Sequence, residues 1–236
     1  MRDASPLGHA AASAIGPSSP FPGAVLFDLD GTLVDSAADI AEAVNRTLEE
    51  LGHAREDEAT VRAWIGLGTR VLLDSALRHA GSRAAVDEVM PRLMVHYEDC
   101  LLLHARLYPG TVEALEALAA DGVALSMATN KPERMARVLL EAMGIGPYFA
   151  HVVGGDTLPE RKPHALPLLH LAALHGVAPR DALMVGDSEA DAGAARAAGM
   201  DLVLLRHGYP RDFDLERAGA VAVLDDLAPL PGLRRP

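Results

Sequence analysis

The chain is almost without cysteine: Cys100 stands alone among 236 residues. A single thiol excludes an intrachain disulfide and any cysteine-only metal centre, and it suits a reducing cytoplasm. Lysine is nearly as scarce. Of the 21 basic residues only Lys131 and Lys162 are lysines, the rest being arginine. A chain that fills its solvated faces with arginine keeps lysine where a compact ammonium is required. No apolar run approaches the roughly 18 residues of a membrane helix. Positive charge is outnumbered, 33 acids to 21 bases, for a formal charge of −12. That balance repels polyanions, so neither nucleic acid nor an anionic membrane is expected as a partner. What remains is half apolar and 23% charged, the composition of a soluble globular protein. Its length suffices for an ample α/β domain, or a medium domain carrying a small one, and buries roughly 70% of the unfolded surface without a metal or disulfide staple.

Residues 1–23 are rich in Ala, Ser, Pro and Gly and show no apolar periodicity. Gly8, His9 and Gly16 interrupt any signal-like core, so this segment reads as a flexible tail. From Ala24 the run AVLFDLD ends in carboxylates, as a buried strand does at its carboxyl end. Similar runs recur at Val123–Ala128, His151–Val153, Ala182–Val185, Leu202–Leu205 and Val221–Leu224. Helical patterns at about 111–120, 132–143, 164–175 and 189–198 separate most of them. Strands alternating with helices predict a Rossmann-like parallel sheet covered on both faces. Between 36 and 108 the rhythm is all-helical, and Ser36 with Asp39 suggests a capping box at its start. An α/β core of 24–35 and 109–236 is therefore expected to carry an inserted helical cap of 36–108. Two adjacent crossings, Val34–Ser36 and Tyr108–Gly110, make its hinge.

In an open parallel sheet, ligands bind beyond the carboxyl ends of the strands. Asp28, Asp30, Gly31 and Thr32 follow the first strand, and Thr129, Asn130 and Lys131 the second. Lys162 precedes a later helix; Asp187 and Asp191 follow the fourth core strand. Four carboxylates brought that close need a cation among them, and an all-oxygen ligand set favours Mg2+ over zinc. Plainer readings exist for each residue alone. Asp-Gly-Thr makes an ordinary turn, Asp191 suits the first turn of a helix, and Lys131 suits a helix entry. His164, His170 and His175 show no zinc-like pairing and read as surface or packing residues. Gly66-Leu67-Gly68 lacks the third glycine of a dinucleotide fingerprint and reads as a helix–helix turn.

FDLDGTLVDS (27–36), ATNKP (128–132), KPH (162–164) and VGDSEAD (185–191) resemble, in order, the four motifs of haloacid-dehalogenase-superfamily phosphatases. The helical insert resembles that superfamily's C1 cap. WIGLGTRVLLDSAL (64–77), GGD (154–156) and HGY (207–209) are similar to segments of its phosphoglycolate phosphatase branch. The resemblance covers about residues 24–230. It implies that Asp28 is the nucleophile forming an aspartyl-phosphate and Asp30 the general acid and base. It implies that Mg2+ is held by Asp28, the Asp30 backbone carbonyl and Asp187, with Asp191 nearby. Thr129 and Lys162 would grip the phosphoryl oxygens, with Gly31, Thr32 and Asn130 lining the substrate site. Arg70, in the turn of the insert, has two readings, a bidentate clamp on a substrate carboxylate or a solvated arginine of the cap.

Chemistry narrows the branch. Halide departure needs no proton, so Asp30 argues against a dehalogenase. No lysine lies within 36–108 for the Schiff base of a phosphonoacetaldehyde hydrolase, and Ile40 stands where β-phosphoglucomutases carry a cap histidine. A cytoplasmic phosphatase of a small phosphorylated metabolite is expected, with 2-phosphoglycolate the leading substrate. Sugar phosphates, nucleotides and pyrophosphate are the alternatives, because Ala165 and Glu189-Ala190 depart from the commoner motif residues. A phospho-accepting signalling switch uses similar groups, but it carries neither a large helical insert nor an Asp30-type acid. Apolar faces of the insert leave room for a homodimer.

Overall fold

The computed structural model describes residues 22–233, so the expected tail lies outside the described residues except at its end. There Gly23 already belongs to the sheet: its N–H donates to Asp181 O at 2.8 Å and its carbonyl accepts from Ala124 N. The first strand, β1 (Ala24–Phe27), is followed by a two-residue strand β2 (Val34–Asp35). Four helices come next, α1 (Ala37–Glu50), α2 (Glu58–Arg62), α3 (Thr69–His79) and α4 (Val86–Cys100). Strand β3 (Arg106–Leu107) corrects the all-helical reading of 36–108, two residues being too few to show a period: it pairs antiparallel with β2, Val34 opposite Leu107 and Asp35 opposite Arg106. The chain then alternates: α5 (Thr111–Ala120), β4 (Ala124–Ala128), α6 (Glu133–Ala142), β5 (His151–Val153), α7 (Leu166–Leu174), β6 (Ala182–Gly186), α8 (Glu189–Ala198), β7 (Asp201–Leu205) and β8 (Ala222–Leu224).

Six of these strands form one parallel sheet in the order β5-β4-β1-β6-β7-β8. The central strand is fully buried because its side chains alternate between two cores. Val25 and Phe27 pack with Leu115, Leu118 and Leu139 of α5 and α6 on one face. Leu26 packs with Leu168 and Leu171 of α7 and with the alanines of α8 on the other. The four inserted helices bury a third cluster, with Ile40, Val44, Leu48, Leu73 and Leu93 among its members, that also takes in Met135 of α6 and Tyr209. No helix among the described residues is long and apolar enough to cross a membrane. From β1 the chain first builds outward through β4 and β5, then returns to build the other side from β6. The carboxyl ends of β4, β1 and β6 therefore frame a topological switch point, where open parallel sheets place their ligands.

The expected capping box at the first cap helix does not form. Ser36 makes no side-chain cap; its Oγ donates instead to Asp30 Oδ1 at 2.5 Å. Asp39 faces the other way and accepts from the backbone N–H groups of His104 and Ala105. The hydroxyl of Tyr209 takes over the cap, accepting from Ser36 N at 2.9 Å and Ala37 N at 3.1 Å. A buried tyrosine from the core thus satisfies N–H groups that helix ends leave orphaned.

Candidate active site

The loop after β1 brings Asp28 to the switch point, and its backbone N–H bonds Val185 O of the neighbouring β6. Lys162 reaches in from the segment before α7. Its buried ammonium lies 2.6 Å from Asp191 Oδ1 and 3.0 Å from Asp28 Oδ1. The second contact lacks hydrogen-bond geometry, so Asp28 Oδ1 is buried without a donor. Burial pushes the Asp28 carboxyl up to about 6; Lys162 pulls it down and Asp191 adds to the rise. Burial by itself would lower Lys162, but the charges of Asp191 and Asp28 outweigh it and hold the ammonium charged.

Asp187 stands at the end of β6. Its Oδ1 accepts from Thr32 Oγ1 at 2.7 Å and its Oδ2 from Tyr209 N at 2.6 Å. Burial, then the charges of Asp191 and Asp28, raise its carboxyl well above the usual range. Two glycines make room for it. A Cβ on Gly31 would fall 2.4 Å from Asp187 Oδ2, and one on Gly208 2.3 Å from Asp187 Cβ. Asp191 is already saturated at its second oxygen, which accepts from Asp187 N, Ser188 N and Ser188 Oγ. One oxygen from each of Asp28, Asp187 and Asp191 lies within 4.8 Å of the others, a cluster that can hold a metal ion.

Across the site, Lys131 from the β4 loop bonds Asp30 Oδ1 and Oδ2 at 3.0 and 3.3 Å and the Tyr97 hydroxyl of α4 at 2.5 Å. It is 4% exposed: it stands at the entry to α6, but its ammonium turns inward to Asp30 and Tyr97. Thr129 is buried beside it and accepts from Lys131 N. Asn130 donates to Gly66 O of the cap turn and to Lys162 O, both at 2.9 Å, while its own carbonyl oxygen has no donor. The residues close around a small pocket between sheet and inserted helices, with about 30 Å3 open to water. Asp28 and Asp30 form one side, and Ile40, Ile65 and Leu72 the apolar roof.

Two sequence expectations are corrected. Arg70 does not enter the pocket: it is exposed and forked onto Asp87 at 2.5 and 3.2 Å on the outer surface. An arginine in the right turn still points outward when its helix position does, and a local acid captures it. Thr32 lines no substrate space either, since its hydroxyl is committed to Asp187. Conversely, nothing in the sequence marks Tyr97 and Ser36 as partners of the site, because a tyrosine on an apolar helix face reads as core and a serine before a helix reads as a cap. Tyr209 and Gly208 lie in the singled-out HGY segment, but only the fold shows that they seat Asp187.

A family model described as haloacid dehalogenase-like hydrolase matches residues 25–205. A protein named phosphoglycolate phosphatase from Rhodospirillum rubrum is 44% identical over 216 residues, covering 89% of this chain and 89% of the relative. One of the same name from Pseudomonas putida is 41% identical over 225 residues, covering 92% and 83%. The crystal structure of a predicted phosphoglycolate phosphatase from Haemophilus somnus superposes with a TM-score of 0.84 at 36% identity, covering 88% of this chain and 96% of the other.

Proposed function

The chain belongs to the haloacid dehalogenase-like hydrolases, and on that premise we propose that it is a Mg2+-dependent phosphatase of the cytoplasm hydrolysing 2-phosphoglycolate to glycolate and phosphate. The observation that carries the reaction is Asp28: a buried carboxylate whose Oδ1 has no donor, lining the pocket beside the charged Lys162. The substrate rests on the relatives' names and on the tightness of the pocket.

The acids fit a divalent cation. Four carboxylates, Asp28, Asp30, Asp187 and Asp191, face only two ammonium groups, Lys131 and Lys162. Asp28 and Asp187 keep lone pairs for a metal, and the Asp30 carbonyl is the third expected ligand. Asp191, with its oxygens filled, serves as the outer member that fixes Lys162 and the loop after β6. When bound, Mg2+ supplies the charge that lets an anionic nucleophile meet an anionic phosphate.

Asp28 attacks phosphorus, forming a carboxyl–phosphorus bond as the ester P–O bond breaks. Asp30 gives the leaving alkoxide its proton. It then takes a proton from the water that attacks the aspartyl-phosphate, releasing phosphate and restoring Asp28. Lys162 and Thr129 stabilise the equatorial oxygens through both steps. The inserted helices act as a cap: the β2–β3 ribbon is their hinge, and closure excludes bulk water.

Phosphate release with Mg2+ across 2-phosphoglycolate, sugar phosphates, nucleotides, pyrophosphate and an aryl phosphate tests this reading. A kcat/KM for 2-phosphoglycolate at least about tenfold above the rest, roughly 1.4 kcal/mol, is expected. Asp28→Asn is expected to fold and to release no phosphate. Preference for another ester would overturn the substrate, and full activity of the Asn variant would overturn the mechanism.

A further inference from the structure

The pocket contains a second cation, Lys131, held by Asp30 and Tyr97 and away from the contacts of Lys162. Lys162 is fixed between Asp28 and Asp191, where the phosphoryl group arrives. Lys131 lines the rest of the cavity and is the only basic residue that does so among the described residues. Its side chain is wholly buried and rooted in the core, while the group it meets, Tyr97, belongs to the inserted helices.

Tyr97 is 3% exposed and its oxygen accepts from Lys131, but its own proton meets no acceptor among the described residues. An ammonium and an unspent phenolic O–H therefore stand together at a cavity wall. That pair matches a second anionic group on the substrate, with the charge from Lys131 and a further donor from Tyr97. The first turn of α3 adds to it: Gly68 and Thr69 line the same cavity, and the helix has no side-chain cap there.

We propose that Lys131 and Tyr97 hold the carboxylate of the substrate, making the enzyme selective for a small phosphate monoester that carries a carboxylate beside its ester carbon. The inference rests on the phosphatase reading above. Arg70, on the outer surface, has no part in it. The apolar roof of Ile40, Ile65 and Leu72 offers a bulky hydroxylated substrate no polar partners. Because Lys131 comes from the core and Tyr97 from the cap, the carboxylate is read only when the two halves are together.

The test compares kcat/KM for 2-phosphoglycolate with that for ethyl phosphate, which has the same length and no carboxylate. Wild type is expected to prefer the carboxylate by at least about tenfold, the range of a charge-assisted hydrogen bond. Lys131→Met also loses the Asp30 contact, which lowers both substrates alike, so the ratio is the informative quantity. It is expected to fall below about threefold, mainly through KM for 2-phosphoglycolate. Tyr97→Phe, a milder change, is expected to lower the ratio about threefold or more. A ratio unchanged in either variant overturns the proposal and leaves these residues as supports of Asp30 alone.

Arg161 supplies the rival. Its side chain lies against the Gly68 position of the turn, in a cleft that Lys162 also lines, with no carboxylate partner among the described residues. Arg161→Ala is expected to leave the ratio as in wild type; collapse of the ratio there would assign the carboxylate to Arg161 instead. Absence of wild-type turnover on both esters would sink the phosphatase reading itself, a result distinct from turnover without preference, which sinks only this one.

Discussion

Asp187 has both oxygens engaged by the protein, one by the Thr32 hydroxyl and one by the Tyr209 N–H. These contacts fix the carboxylate in the cluster with Asp28 and Asp191 that can hold a metal ion, and would act as outer partners of a metal ligand there. Thr32→Val keeps the shape and removes one of them. The Mg2+ concentration for half-maximal phosphatase activity is expected to rise about 10- to 100-fold, with saturated kcat changing less. An unchanged requirement would mean that Tyr209 N–H alone orients the carboxylate. Glycine matters at the same scale. The Cβ of any other residue at 208 would lie 2.3 Å from that of Asp187, so the site's density depends on one absent methyl group.

At the scale of elements, the junction between sheet and inserted helices is held by polar contacts rather than by apolar packing alone. The Tyr209 hydroxyl accepts from Ser36 N and Ala37 N and donates to Asp35 Oδ1 at 3.0 Å. Asp35 in turn holds Arg62 and Arg106, and Asp39 ties the start of α1 to the returning chain at His104 and Ala105. Tyr209→Phe leaves two buried N–H groups without an acceptor. A loss of about 1–3 kcal/mol is expected in denaturant unfolding. A loss below about 0.5 kcal/mol would mean that water reaches the helix start and replaces the phenol. The sequence signalled these elements well, because apolar runs and helical periods survive in any context. It mis-assigned Ser36 and Asp39, because a capping box pairs the two with each other, and here Asp30, six residues back, takes Ser36 while the returning chain at His104 and Ala105 takes Asp39.

For the whole molecule, the buried acids couple stability to pH and to metal. Asp28 has an ordinary value of 3.8 and rises to about 6 in the fold, and Asp187 is raised in the same direction. Between those two values the metal-free folded protein holds a proton that the unfolded chain has released. This stabilisation is complete below about pH 4 and is lost as pH rises through about 6. With chelator present, the Tm is expected to fall from pH 5 to pH 7, and Asp28→Asn, which lacks the group, to show a flatter profile. Added Mg2+ is expected to restore the Tm at pH 7 in wild type. A metal-free Tm that rises over this range, or equal slopes for both proteins, would contradict the assignment.

The sequence by itself determined the parallel α/β core, the run of helices inserted after its first strand, the strand-end positions of Asp28, Asp30, Thr129 and Asp187, and the place of Lys162 ahead of a later helix. These follow from short-range physics: buried strands are apolar, helices repeat every 3.6 residues, and polar groups just past a strand's carboxyl end stand where open parallel sheets bind ligands. Which of those groups meet was decided only by the tertiary structure. Arg70 and Lys131 were both candidate cations on the sequence, yet one is spent on Asp87 at the surface and the other is sealed against Asp30 and Tyr97. Position along the chain cannot separate them, because a side chain's partner depends on elements 17 to 101 residues away.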